Sequence, residues 1–211
     1  DRAIYTALNT LHNLRDLQRT QAQNLANQNV PGFRKDLDNN TKAVFLDELN
    51  RVSTRAFQLE SGPAGFSEEA GFLDMTEQPL DIAIMDKGYF YIQPDNGDPA
   101  LSRRGDMHRD NQGLLRNGAG ELMLDTNLNP ITLPAYRQLI VDELGQISIE
   151  GVDAAPGEFA PVATLATVVP DPDLVLLKSE DGNIRDPLGP LPAPNQQSRI
   201  VQGMLEGSNV N

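Results

Sequence analysis

From residue 4 to residue 28 apolar side chains return every three or four positions, at Ile4, Leu8, Leu11, Leu14, Leu17, Ala22 and Leu25, with one longer gap and no Gly or Pro. That period keeps one face of an α-helix apolar, so the spacing predicts a helix from Ile4 to Gln28. About 26 residues at ~1.5 Å each would extend it to about 39 Å. The stripe is narrow. Written as a heptad, its seam is Ile4, Ala7, Leu11, Leu14, Gln18, Gln21 and Leu25. Two glutamines in a seam weaken a coiled coil, and propensity alone rarely holds a helix in water, so this helix needs a partner. Ile4, Leu8, Leu11, Leu14 and Leu25 are its expected packing surface.

The pattern stops abruptly at Asn24-Leu-Ala-Asn27-Gln-Asn29-Val-Pro31-Gly32-Phe33. Asn27 and Asn29 tolerate turn geometry, Pro31 cannot continue a helix, and Gly32 supplies a positive φ. Val30, before the proline, is pushed to an extended state. Residues 31–61 read as a connector. Its stretch Thr41–Arg55 is ambiguous, with a short helix as one option.

From Gly62 the period shortens. Apolar runs at Leu80–Met85, Tyr89–Gln93, Leu114–Leu115, Glu121–Leu124, Leu139–Val141, Gln146–Ile149, Ala163–Val169 and Leu174–Lys178 alternate with Gly-containing turns. Among the turns are Asp86-Lys-Gly88, Asp95-Asn-Gly97, Asn111-Gln-Gly113, Asn117-Gly118, Glu143-Leu-Gly145 and Asp181-Gly-Asn183. Short strands punctuated this closely predict a β-rich body over residues 62–185, as a meander, sandwich or small barrel. Residues 186–211 begin as a Pro-rich extended loop and end in Ile200-Val-Gln-Gly-Met-Leu-Glu, which suits one more strand. The expected architecture is mainly β, with a long helix (1–30) extending from its N-terminal end.

Composition narrows the chemistry. The chain carries a net charge of −13, which repels phosphate backbones and anionic lipid, so neither nucleic acid nor direct membrane insertion is expected. There is no cysteine, which excludes disulfides, thiolate metal sites and cysteine nucleophiles. With no Trp and only 5% aromatic residues, the core should be aliphatic. No run of about 18 apolar residues occurs, and the opening Asp-Arg-Ala-Ile has neither the basic nor the apolar part of a cleavable signal.

Catalytic signatures are missing. No Walker A loop, dinucleotide fingerprint or Gly-x-Ser-x-Gly elbow is present, and there are only two histidines. His12 sits among polar helix neighbours. His108 lies in Asp106-Met-His-Arg-Asp110, where alternate strand residues share a face, so Asp106, His108 and Asp110 are the one arrangement that suggests a metal or an acid–base pair; a polar strand face is the commoner meaning. Arg103-Arg104 is a basic pair suited to an acidic neighbour or to internal ion pairs. No cofactor is implied, and the residues favour a binding or assembly protein over an enzyme.

Three separated stretches carry a family resemblance. The opening Asp-Arg-Ala-Ile-Tyr-Thr-Ala with Asn24–Arg34 resembles the N-terminus of flagellar basal-body rod proteins. Thr76-Glu-Gln-Pro-Leu-Asp-Ile-Ala-Ile84 with Gly88-Tyr-Phe90 and Leu101-Ser-Arg-Arg-Gly-Asp-Met107 is similar to their central motif, and Gln202–Val210 to the stretch before their C-terminal helix. Together these matches cover about half the chain, in the family's order. Opening and ending sit nearest the proximal-rod members; the distal-rod and hook proteins share the middle motif but open differently.

The resemblance implies a non-catalytic subunit that assembles helically with itself and with other rod proteins in the periplasm, transmits torque, and is exported by the flagellar apparatus without a cleaved signal. It further implies an inner coiled coil of N- and C-terminal helices, the second beginning where this sequence ends at Asn211. Asn24, Asn27, Pro31, Gly32 and Phe33 would then fix the angle at which the helix leaves the β body. The reading from a different class is a secreted β-domain that binds glycan or peptide; the absence of Trp argues against a glycan site.

Overall fold

A computed structural model describes residues 2–37, 43–45, 56–58, 65–179 and 181–210; for residues 2–7, 9–10, 43–45 and 56–58 it describes the backbone alone. Helix α1 runs Arg2–Ala26, within two residues of the predicted span at each end. Two short strands follow, β1 (Ala43–Phe45) and β2 (Ala56–Gln58), paired antiparallel with Val44 opposite Phe57. The stretch left ambiguous thus contributes a strand where a short helix was an option. Val and Phe favour a pleated backbone, and β2 supplies the pairing that decides between the two forms. The rest of Thr41–Arg55 lies outside the described residues.

The β body follows as β3 (Leu73–Met75), β4 (Ile82–Ile84), β5 (Tyr89–Gln93), β6 (Ala100–Ser102), β7 (Met107–Arg109), β8 (Leu115–Asn117) and β9 (Leu122–Met123). It continues as β10 (Tyr136–Val141), β11 (Gln146–Gly151), β12 (Ala160–Thr164), β13 (Thr167–Val168), β14 (Leu177–Lys178), β15 (Ile184–Arg185), β16 (Ile200–Gln202) and β17 (Met204–Glu206). The largest sheet has the order β14-β15-β6-β5-β9-β8-β7, with β13 also on β5. β10, β11 and β12 form a second antiparallel sheet.

Strand β5 shows why a continuous apolar run is needed at the centre. Phe90 and Ile92 point into a core shared with Ile84, Leu139, Ile147, Ile149 and Leu165, while Tyr89 and Tyr91 point into a second core with Phe66, Leu101, Leu124 and Val168. With both faces covered, no polar alternation is possible. The first core is aliphatic apart from Phe90 and the partly buried Tyr136 at its margin, but the second holds Phe66, Tyr89 and Tyr91, so the expected aliphatic core is met on one face only. On the other face the Tyr91 hydroxyl donates to the Pro192 carbonyl, tying the Pro-rich loop over that core.

The structure corrects three local readings. The run Ala163–Val169 is broken between β12 and β13, because Leu165 turns into the core while its amide bonds the Gly145 carbonyl. At Asn117-Gly118 the positive φ falls on Gly120 instead. The Asn117 side chain accepts from the Ala119 and Glu121 amides and so builds a longer turn. Finally, the end of the chain forms two strands, since Gly203, at φ +77°, breaks it. β16 then pairs with β4, and β17 with β3. Residues from the far end of the chain are therefore hydrogen-bonded to the start of the β body.

The helix-exit junction as candidate assembly site

The last turn of α1 is anchored by Asn24. Its carboxamide is buried and makes two bonds to one residue of the outgoing chain, accepting from the Asp36 amide at 2.8 Å and donating to the Asp36 carbonyl at 2.9 Å. The Asn27 side chain donates to the Gln23 carbonyl at 2.8 Å, which also accepts the Asn27 backbone amide at 3.2 Å, so both bonds tighten the last turn. Pro31 then turns the chain. Gly32 adopts φ +67° and donates to the Glu206 carbonyl at 2.7 Å; a Cβ there would lie 2.4 Å from the Arg103 carbonyl carbon. Only glycine satisfies both the backbone conformation and the close approach. Phe33 lies half-buried under the Lys178 ammonium, 3.6 Å from its ring centre. Lys178 also binds the Arg34 carbonyl and the Asp36 carboxylate, each at 2.8 Å. Burial pushes the Lys178 ammonium below its ordinary pKa, with Asp36 opposing.

Beneath this turn lies a buried ion triad. Glu206 accepts from Arg34 at 2.9 Å through one oxygen and from Arg103 at 2.7 Å through the other. Its first oxygen also takes the Gly71 amide at 2.9 Å. Two guanidiniums face one carboxylate, and backbone carbonyls take up the surplus charge. Arg103 donates to the carbonyls of Ile84, Asp86 and Gly88 at 2.6–2.7 Å, and Arg34 donates to that of Glu69. Burial lowers the Arg34 pKa and raises that of neighbouring Tyr89. A triad of this kind contributes little net stability against apolar packing but is costly to break, so its main effect is to fix geometry.

Asn209 completes the closure: its side chain accepts from the Lys35 amide at 2.6 Å and donates to the Glu69 carbonyl at 2.7 Å. Asn24–Arg34, Leu101–Met107 and Gln202–Val210, three stretches far apart in sequence, therefore meet at one junction. A cleft of about 220 Å³ opens beside it, lined by Gln23, Asn27 and Pro31 on the helix side and Arg104, Asp181 and Asn183 on the body.

Of the five residues expected at the helix exit, Asn24, Gly32 and Phe33 contact residues beyond the helix, whereas Asn27 bonds back to Gln23 within α1 and Pro31 lines the cleft. The expected packing residues Leu8, Leu11, Leu14 and Leu25 stand on α1 with 47–63% of their surface exposed; Ile4 is in the helix backbone. Sequence reasoning missed Glu206 and Lys178 and left the role of Arg103 open. The available signal was that Arg34 and Glu206 are the lone charges in Asn24–Arg34 and Gln202–Val210, while Arg103 shares its motif with Arg104 and Asp106. The Asp106–His108–Asp110 arrangement is differently employed. Arg104 pairs with Asp106 at 2.7 Å, Arg116 with Asp110 at 2.9 Å, and Asp110 also accepts the Gln112 and Leu114 amides. Both carboxylates are engaged and His108 faces outward. Arg103 and Arg104 enter two separate internal ion pairs.

Comparison with known proteins agrees with this convergence of motifs. Residues 83–149 match the family model described as the flagellar hook protein FlgE/F/G D1 domain. Over its whole length the chain is 33% identical to the flagellar basal-body rod protein FlgF of Salmonella typhimurium, covering 84% of that protein. The chain belongs to the FlgF family of flagellar basal-body rod proteins. The FlgF of Escherichia coli is 31% identical, again across all of this chain and 84% of its own length. A rod protein FlgG, that of Bacillus subtilis, is 27% identical over 72% of the chain and 61% of its own length. The FlgF relatives thus span the helix, junction and return segment together, whereas the D1 model covers only β4 to β11 and their connections.

Proposed function

We propose that the chain is a non-catalytic structural subunit of the proximal rod of the flagellar basal body, and that the helix-exit junction is its working part. The observation that carries this reading is the Glu206 triad, which ties Arg34, on the chain leaving a leucine-striped helix, to Arg103 of the β body. A drive shaft requires that property: torque applied to the body must reach the inner helices without the two parts swivelling. In this reading residues 1–30 extend as half of an inner coiled coil, 31–61 connect, 62–185 form an outer β body with the sandwich-like layering of two sheets, and 186–211 return the chain towards a second helix. Ile4, Leu8, Leu11, Leu14 and Leu25 pack against neighbouring inner helices, as knobs in a coiled coil. Contacts between unlike surfaces do not close on themselves and so build a helical filament. The partners are copies of the same chain and other rod proteins, reached in the periplasm after passage through the flagellar export apparatus.

The test is cellular. The full-length protein, tagged at a body loop such as Asp95-Asn-Gly97, should co-purify with basal bodies, and its deletion should abolish motility. Finding it freely diffusing in motile cells would sink the rod reading.

A further inference from the structure

Beside the junction, β3 and β17 form a two-stranded ribbon whose outer strand is exposed throughout. Phe72 is 84% and Met75 70% exposed. One face of the ribbon and the helix exit enclose a groove of about 520 Å³, lined by Phe72, Asp74 and Leu205 on one side and Gln28, Asn29 and Pro31 on the other. Its lining combines the apolar side chains of Phe72, Leu205 and Pro31 with the exposed Asp74 carboxylate, the Gln28 and Asn29 amides and the Thr76 and Ser208 hydroxyls, and Glu77 stands exposed nearby.

An occupant that offers an apolar side chain beside a cation would complement Phe72, Leu205 and Asp74. Helix α1 has that character: it carries Arg2, Arg15 and Arg19 against a single acid, Asp16, in a chain of net charge −13. Its exposed leucines stand beside those arginines. Leu11 and Arg15, four residues apart on one face, are separated by ~6 Å along the helix. Phe72 and Asp74, two residues apart on one strand face, are separated by ~6.6 Å. The two spacings match, leucine to phenylalanine and arginine to aspartate. The chain's own helix cannot supply this contact. Leu11 lies fifteen residues before Ala26, hence ~22 Å up a continuous helix from the groove mouth.

We propose that the groove receives the N-terminal helix of a second copy of this chain, with Leu11 on Phe72 and Leu205 and Arg15 on Asp74. The proposal rests on the rod reading in taking α1 as an assembly element, but assigns Leu11 to a neighbour's β body, leaving Ile4, Leu8, Leu14 and Leu25 to the other helices. Because helix and groove are unlike surfaces, the contact propagates instead of closing into a symmetric dimer.

Residues 1–211 have no cysteine, so within them the introduced thiols are the only ones. In basal bodies from cells making the full-length protein with L11C and F72C together, mild oxidation should give a disulfide-linked homo-oligomer that neither single variant gives. In a second experiment, D74R and R15D should each lower rod incorporation about tenfold, and the two together should restore it. Incorporation of the double-cysteine protein without cross-linking would overturn the proposal. So would a cross-link from the F72C thiol to a different rod protein, or charge swaps whose losses merely accumulate. The L14C variant keeps the two readings apart: helix-to-helix cross-links through the L14C thiol, with none through that of F72C, would leave the rod reading standing and remove this one. Absence of the unmodified protein from basal bodies would remove both.

Discussion

Replacing Glu206 with glutamine should unfasten the helix from the body while the body stays folded. The substitution keeps the side chain's volume and removes its charge. Arg34 and Arg103, whose side chains are 4% and 1% exposed, then lose the carboxylate between them. Breaking a buried pair in this way costs about 3–5 kcal/mol. The amide oxygen of glutamine still accepts from one donor, which puts the expected loss at the lower end, about 3 kcal/mol. Neither apolar core contains Glu206. The loss should therefore appear as local opening, seen by hydrogen exchange at Gly32 and Gly71, whose amides donate to the Glu206 carbonyl and carboxylate. A loss of about 3 kcal/mol corresponds to about a hundredfold drop in protection there, with Tyr91 and Ile92 in the central strand little changed. Protection at Gly32 and Gly71 within about threefold of the parent would refute the reasoning. An equal loss throughout the β body would refute it too, since it would make the triad part of the global fold.

Other outcomes follow from single features of the junction and the turns. Gly32→Ala combines a left-handed backbone with a Cβ pressed on the Arg103 carbonyl and should cost at least ~2 kcal/mol, read as a lower urea midpoint. Leu128→Gly should act in the opposite sense, because Leu128 holds φ +61° at a turn position where Gly113, Gly120 and Gly145 occupy the equivalent places; a net gain of up to ~1 kcal/mol should raise Tm by a few degrees. At low pH, Asp110 and Asp181 titrate below the ordinary aspartate value, held down chiefly by hydrogen bonds from Arg116 and Arg185. The unfolded chain then takes up protons first as pH falls, so their stabilisation is complete above about pH 4 and is lost as pH drops through the lowered values. Asp110→Asn should flatten that part of the stability–pH curve, and an unchanged slope below about pH 4 would contradict the assignment.

The parts of this molecule governed by local rules were legible in its sequence. A period of three to four residues located α1, and a Pro-Gly pair behind an Asn-rich turn marked its end. Tyr89–Gln93, apolar at every position but the last, is the strand buried on both faces. Turns were legible where an Asp or Asn precedes a glycine that takes the positive φ, as at Gly113 and Gly145. At Asn117 the rule pointed to the wrong glycine, because Gly118 is hemmed in by the Asp106 carboxylate and the turn extends to Gly120. Pairing of β16 with β4 and of β17 with β3 joins residues more than 100 positions apart, and no periodicity carries that information. The triad is hidden for the same reason. Arg34 and Glu206 look like isolated surface charges until the fold places them together, and the Arg103-Arg104 pair, though suited to an internal ion pair, did not show its partner.

If Glu206 fixes the direction of a rod helix against its β body, the arrangement must survive in the assembled rod. A density map of isolated basal bodies, sharp enough to trace side chains, can show whether it does. It should place α1 in the inner layer and the β body outside it, with Glu206 between Arg34 and Arg103 where the two meet. A helix lying on the outer surface, or an Arg34 side chain turned away from Glu206 in the assembled rod, would contradict that role.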